Sequence, residues 1–163
     1  MATRPSLPEL RHAAPAAALC LALAATPMIV HADGGSSDRP ANSEYSIAKQ
    51  AMDDGDYQVA IAKLTKLHES DPNDADVLNL LGYGYRRIGN FDQSRGYYLQ
   101  ALAIDPEHRG ANEYLGELYL ETGELAKAEE RLAVLDKDCW LGCSEYTELK
   151  ESIAKYKTEN GIK

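Results

Sequence analysis

The sequence predicts an all-α fold built from three helix-turn-helix repeats. A glycine recurs every 34 residues, at Gly55, Gly89 and Gly123. Large apolar residues and small residues also recur at this period, with the spacing of a buried helical face. Alternating patterns typical of strands are hard to find anywhere in the chain. A fixed period of this length is the mark of a repeat architecture, in which each unit packs on the next.

The first 32 residues have the pattern of a secretory signal peptide. Arg4 and Arg11 precede an apolar run from Ala13 to Val30, and Val30-His31-Ala32 is a suitable cleavage site. A transmembrane anchor is the alternative, but the run is rich in alanine, interrupted by prolines and short for a bilayer. We therefore expect an exported protein of a bacterial periplasm, without a stable membrane anchor after cleavage. Residues 33–42 are predicted to be a flexible linker.

Glycine, polar residues and proline mark the ends of the repeat helices. Each repeat glycine ends a first helix, and the polar residue after it (Asp56, Asn90 or Glu124) is suited to cap the second helix. Asp-Pro pairs end the second helix in the first two repeats. The predicted helices are 43–54, 57–70, 75–88, 91–104, 109–122 and 125–137, within repeats 41–74, 75–108 and 109–142.

The repeats resemble the tetratricopeptide repeat family over residues 41–142. The second repeat fits the family pattern best, with Leu81-Gly82, Tyr85, Gly89, Phe91, Tyr98, Ala101 and Pro106. The first repeat has Ala51 where the family usually has tyrosine, and the third has Trp140 in place of proline. The resemblance implies a right-handed superhelix of three repeats followed by a C-terminal capping helix.

Residues 143–163 supply the expected cap and a tail. Ser144 is a plausible N-cap, and the helix is predicted over Ser144–Tyr156 with apolar residues on one face. Cys139 and Cys143 bracket the turn before it. A structural disulfide fits an exported chain, whereas two thiolates could also hold a soft metal ion or act in redox chemistry. Free thiols are the third alternative.

Other features indicate a binding protein that is not an enzyme. The chain contains neither a phosphate-binding glycine-rich loop nor a metalloprotease motif, and its Ser, His and Asp residues suggest no catalytic triad. We predict no cofactor and no resident metal. The net charge of −9 argues against nucleic-acid binding, which depends on a basic surface. The expected ligand is a protein or peptide. Self-association is also possible, because the first helix has no preceding cap.

In the family, the first helix of each repeat lines a groove that receives peptides or another protein's helix. Alignment to the family gives the candidate lining residues Tyr45, Lys49, Met52, Asp53, Asn79, Tyr83, Arg86, Arg87, Glu113, Glu117, Leu120 and Glu121. Among them, Tyr83, Arg86 and Arg87 are the strongest candidates for binding hot spots. One subgroup of the family clamps a C-terminal carboxylate with lysine and asparagine. Here those positions carry Tyr45, Lys49, Leu80, Gly110 and Tyr114, so clamp activity is not expected.

Overall fold

The computed structural model describes residues 43–162, which form seven α-helices and contain no strand. The helices are α1 Glu44–Asp53, α2 Tyr57–Ser70, α3 Ala75–Arg87, α4 Phe91–Ile104, α5 Arg109–Glu121, α6 Leu125–Asp138 and α7 Ser144–Glu159. The all-α prediction is confirmed, and the ends of α1–α6 differ from the predicted ends by at most one residue. The predicted signal peptide (1–32) and linker (33–42) lie outside the described residues.

The repeat glycines end the first helices as expected. Gly55, Gly89 and Gly123 have φ angles of 81°, 78° and 79°, in the left-handed region that favours glycine. The residue after each glycine donates its backbone N–H to a carbonyl five positions earlier, as in the bond from Asp56 to Ala51 of 2.7 Å. This pattern is the Schellman motif, which satisfies carbonyl groups at a helix end and reverses the chain.

The predicted caps of the second helices are only partly realised. The Asn90 side chain accepts a hydrogen bond from the Gln93 backbone, but Asp56 and Glu124 make no capping bond. The Glu124 carboxylate instead accepts from Arg95 at 2.5 Å. The prediction for Ser144 was also wrong by one residue. Cys143 is the N-cap of α7, with its Sγ accepting from the Tyr146 backbone at 3.4 Å.

Small residues in the first helices permit close helix packing. A β-carbon on Gly82 would lie 2.6 Å from the Tyr98 ring, and one on Gly116 would lie 2.6 Å from Leu149. Such distances are too short for any real β-carbon. Gly82 therefore brings α3 against α4, and Gly116 brings α5 against α7. The small residues that recur at the repeat period thus allow close helix packing at both glycines.

The buried residues form two clusters along the stack. One cluster joins α1, α2 and α3, the other extends from α3 to α7, and Tyr97 packs against both. Leu81 and Leu115 are fully buried, whereas their equivalent in the first repeat, Ile47, is 41% exposed. Within the described residues no earlier helix packs on α1. Ile47 consequently forms part of an uncovered edge.

The last helix covers the other end of the stack. Leu149 and Ile153 of α7 are buried against the third repeat, and α7 contacts both α5 and α6. The capping role predicted for this segment is therefore seen in its packing. Together the helices form an all-α repeat superhelix. In the described part of the chain, no helix combines the length and the apolar character needed to cross a bilayer.

Candidate functional site

A cavity of about 630 Å³ opens between the first helices of the three repeats. We call it the groove cavity. Its walls come mainly from α1, α3 and α5, with one residue from α2 and one from α7. It is lined by Tyr45, Lys49, Met52, Asp53, Tyr57, Asn79, Leu80, Tyr83, Arg87, Gly110, Glu113, Tyr114 and Glu145.

The repeat itself brings the predicted residues together. Tyr45, Asn79 and Glu113 occupy equivalent positions in the three repeats, and each lies near the start of its helix. Because equivalent helices stack with the same face inward, residues 34 apart become neighbours. Of the twelve residues predicted to line the groove, eight line this cavity. They are Tyr45, Lys49, Met52, Asp53, Asn79, Tyr83, Arg87 and Glu113.

Arg87 lies over an aromatic surface at one end of the cavity. Its guanidinium donates to the Tyr83 hydroxyl at 2.6 Å and stands 4.9 Å from the centre of the Tyr57 ring. Tyr83 in turn packs against Tyr114, with ring centres 5.1 Å apart. Within residues 43–162, Arg87 forms no ion pair with a carboxylate. An arginine held on tyrosine rings and open to solvent can still bind a ligand carboxylate with two hydrogen bonds.

The other four predicted residues, Arg86, Glu117, Leu120 and Glu121, line a second depression against α7. The Arg86 guanidinium pairs with Glu117 at 2.7 Å and with Glu121 at 2.9 Å, and the side chain is only 9% exposed. The placement of Arg86 beside Arg87 in one patch is therefore corrected. Consecutive residues of a helix point about 100° apart, so Arg87 lines the groove cavity while Arg86 joins α3 to α5.

An acidic corner lies at the other end of the groove cavity, around Glu113. Its side chain is buried, with 4% exposed, and no Lys, Arg or His of the described residues forms an ion pair with it. Burial, followed by the nearby charges of Glu148 and Glu117, raises the pKa of Glu113 to about 8. Glu145 contributes in the same direction. Burial and the proximity of Glu113 also raise the pKa of Tyr114, to about 12.

Asn79 forms the wall beside this corner. It is 7% exposed, and its Oδ1 atom is buried without a hydrogen bond from the described residues. Gly110 of α5 leaves room for the amide, since a β-carbon there would lie 3.0 Å from Asn79 Nδ2. A buried amide oxygen without a donor is uncommon in native proteins and calls for an explanation.

Two further lining residues, Tyr57 of α2 and Glu145 of α7, were not predicted for the groove. Their places depend on how α2 and α7 dock, which no local pattern indicates. The family's clamp positions also reach this cavity, since all five appear in its lining. The five clamp positions therefore lie together, but apart from Lys49 they carry neither lysine nor asparagine.

The cysteine pair lies away from the groove lining. The Sγ atoms of Cys139 and Cys143 are 2.09 Å apart, which is a disulfide bond, and their Cα atoms are 5.5 Å apart. Bonded in this way, neither sulfur is a thiolate that can hold a soft metal ion. Among residues 43–162, no three His, Cys, Asp or Glu side chains are placed to bind one metal ion.

Solved structures with a similar fold include peptide-binding proteins. SycD, the type III secretion translocator chaperone of Yersinia enterocolitica, has a TM-score of 0.64 and 22% identity over 73% of this chain and 84% of its own. SycD in complex with a peptide of the translocator YopD has a TM-score of 0.62 and 22% identity, with coverages of 72% and 92%. The first TPR of Spaghetti (RPAP3) bound to the HSP90 peptide SRMEEVD has a TM-score of 0.62 and 18% identity over 72% of this chain and 90% of its own. At these identities the likeness shows the fold alone.

The repeat sequence can also be compared directly with known families. Comparison with curated protein sequences found no match. A family model described as tetratricopeptide repeat matches residues 45–104 and 79–138, which together span more than half of the chain. The matched segments contain α1–α6 and therefore all three helix pairs. Sequence and architecture agree, and the chain belongs to the tetratricopeptide repeat family.

Proposed function

We propose that this protein is a non-enzymatic adaptor or assembly factor of the cell envelope that binds a peptide or helix of another protein in the groove cavity. The observation that carries the proposal is the cavity itself. Helices of all three repeats build one concavity with exposed cationic side chains and partly buried aromatic side chains. Such a surface offers charge-assisted hydrogen bonds and flat apolar contacts, which suit a polypeptide ligand.

Similar structures support a polypeptide as the ligand. SycD has been solved with a YopD peptide, and the Spaghetti (RPAP3) repeat with an HSP90 peptide. The ligand of this protein should nevertheless differ from a chaperone tail. Lys49 alone provides a positive charge among the five clamp positions, so a C-terminal carboxylate would not find the family's usual donors. Arg87 is the cation we expect to contact the ligand instead.

Photocrosslinking in the exporting host tests this proposal. A benzoylphenylalanine placed at the exposed position of Lys49 should capture one specific partner, and Arg87→Glu should reduce the yield at least about tenfold because it reverses the binding charge. Lys66→Glu provides the matched control, since Lys66 is exposed on α2 and does not line the cavity. A yield unchanged by Arg87→Glu would contradict binding in the cavity, and a crosslink to a second copy would indicate self-association.

Arg87→Glu is a better variant than a double change that includes Arg86. Arg86 is nearly buried and holds two glutamates of α5. Reversing its charge would leave three carboxylates together and destabilise the stack. Loss of partner capture could then reflect loss of folding. Circular dichroism of Arg87→Glu should show the helical content of the unaltered protein.

The envelope location rests on the leader pattern in residues 1–32 and on the disulfide, which persists in oxidising compartments. Intact mass spectrometry without reductant tests it. A protein from its exporting host should begin at Asp33 and be two hydrogens lighter than the reduced chain. A full-length mass with free thiols would contradict export. A stoichiometric soft metal would favour metal handling by Cys139 and Cys143.

A further inference from the structure

The Glu113 corner holds a buried carboxyl group without a positive partner. The Glu113 side chain is 4% exposed, and the charged groups that face it are the carboxylates of Glu117, Glu145 and Glu148. Burial of a carboxylate disfavours its charged form unless a cation or several donors accompany it. The cations of the cavity, Lys49 and Arg87, make no ion pair with Glu113. Glu113 therefore lacks a balancing cation among the described residues.

A second and independent observation concerns an uncharged residue. The Asn79 Oδ1 atom is buried beside the same corner, without a donor among the described residues. Asn79 lies on α3, whereas Glu113 lies on α5, and Gly110 provides the space that the amide occupies. In the lining of one cavity, α3 thus contributes an amide oxygen without a donor and α5 contributes a buried carboxyl group without a cation. A ligand that supplies several N–H donors and a positive charge would suit both groups.

We propose that the corner formed by Glu113, Asn79 and Glu145 receives a lysine or arginine side chain of the bound polypeptide. This inference rests on the proposed function and adds the chemistry of the ligand. An ammonium group has three donors and a guanidinium has five. Either can donate to the Glu113 carboxylate and the Asn79 carbonyl together. A neutral side chain would leave the carboxyl groups of the corner without a balancing charge, and an acidic one would add a like charge, so the corner selects a basic residue.

The positions of Asn79 and Arg87 also set a spacing for the ligand. They are eight residues apart on α3, which places the basic-residue corner about 12 Å from Arg87. An extended chain advances about 3.3 Å per residue. The cavity therefore fits a segment with a basic residue at the Glu113 corner and an acidic residue three or four positions away at Arg87.

Binding of a cation should also release protons. A bound positive charge stabilises the ionised form of Glu113 and lowers its pKa, whereas the carboxylates of Glu117, Glu145 and Glu148 act against ionisation. Tyr114 also faces the site, but with a pKa of about 12 it is uncharged where Glu113 titrates. Near pH 7 the unliganded Glu113 side chain is largely protonated, because its pKa is about 8. A cationic ligand should accordingly displace a proton, while a neutral isostere should displace none.

The test uses Nα-acetyl-lysine methylamide as the probe and Nα-acetyl-norleucine methylamide as its neutral match. The carboxyl ¹³C resonance of Glu113 is followed from pH 5 to 10 in the purified protein with each compound. Only the lysine probe should bind saturably and move the midpoint of the Glu113 titration to lower pH. Glu113→Gln and Asn79→Leu should each weaken binding at least about tenfold, with helical content retained.

Equal effects of the two compounds, or lysine binding that survives both variants, would overturn the inference. The photocrosslinking at Lys49 separates this failure from failure of the proposed function. A crosslink that depends on Arg87, without a probe effect at Glu113, rejects only the basic-residue corner. A probe effect without any partner crosslink rejects the adaptor proposal and keeps the cation site.

Discussion

The aromatic ring of Tyr98 occupies the space in which a side chain on Gly82 would lie. A β-carbon at Gly82 would stand 2.6 Å from two ring carbons, and Tyr98 is fully buried. Its burial raises the pKa of the Tyr98 hydroxyl, so the phenol stays neutral. The contact fixes how closely α3 approaches α4. Helix α3 carries Asn79, Tyr83 and Arg87 of the groove cavity.

Gly82→Ala should therefore destabilise the protein despite the higher helix propensity of alanine. Overpacking a rigid core costs about 1–3 kcal/mol, whereas propensity returns at most about 1 kcal/mol. Gly96→Ala is the matched control, because Gly96 lies within α4 and a β-carbon there meets nothing within 4 Å. That variant should gain about 0.5–1 kcal/mol. Urea unfolding measures both, and a Gly82→Ala variant as stable as Gly96→Ala would contradict the packing argument.

Arg86→Met should lower stability through the ion pairs between α3 and α5. The substitution keeps the side chain's length but leaves Glu117 and Glu121 without their shared cation, so we expect a loss of about 2 kcal/mol. Arg109→Met is the comparison, because the Arg109 side chain is half exposed and pairs with Asp138 alone. Its effect should be much smaller. Similar unfolding midpoints for the two variants would show that the Arg86 pairs contribute little.

The sequence predicts the helix ends and the repeat positions, but not the partners of side chains such as Arg86. The repeat glycines predict the helix ends, because glycine favours the left-handed turn at Gly55, Gly89 and Gly123 whatever packs nearby. They also bring Tyr45, Asn79 and Glu113 to equivalent places. The sequence does not predict which residue a side chain contacts. Arg86 pairs with Glu117 and Glu121 of α5, and this contact depends on the angle between α3 and α5.

The burial of Glu113 has a similar origin. In sequence it resembles the other glutamates of a solvated helix face. The docking of α7 against α5 places Glu145 and Glu148 beside it and removes it from water. The exposure of Ile47 is the converse case. Its pattern matches Leu81 and Leu115, but no described helix covers it.

The raised pKa of Glu113 predicts a pH dependence of stability. Its folded pKa of about 8 lies above the value of 4.5 expected when unfolded, so the folded state binds the proton more tightly. The contribution of protonated Glu113 to the free energy of unfolding is fully present below about pH 4.5 and is lost as the pH rises through 8. Glu113→Gln removes the decline. Relative to the unaltered protein, it should gain about 4 kcal/mol between pH 5 and pH 9.

Thermal unfolding of both proteins at pH 5, 7 and 9 measures this difference. Glu148→Gln provides the control for a neighbouring carboxylate, since Glu148 is exposed and contributes to the Glu113 shift. It should flatten the pH dependence only in part. Parallel pH profiles for the unaltered protein and Glu113→Gln would show that Glu113 titrates normally, and would remove the basis for proton release on ligand binding.

The disulfide should fix the cap without being essential for folding. Cys139 and Cys143 enclose a short loop, for which the loss of chain entropy predicts about 2 kcal/mol of stabilisation. The buried clusters of α1–α6 do not depend on the bond. Replacing both cysteines with alanine should lower the melting temperature by several degrees, with a cooperative transition and helical content retained. Near-ultraviolet circular dichroism of the single Trp140, 80% exposed inside the loop, should report the local change. Complete unfolding of the double variant would mean that α7 cannot dock without the bond, and that the third repeat depends on its cap.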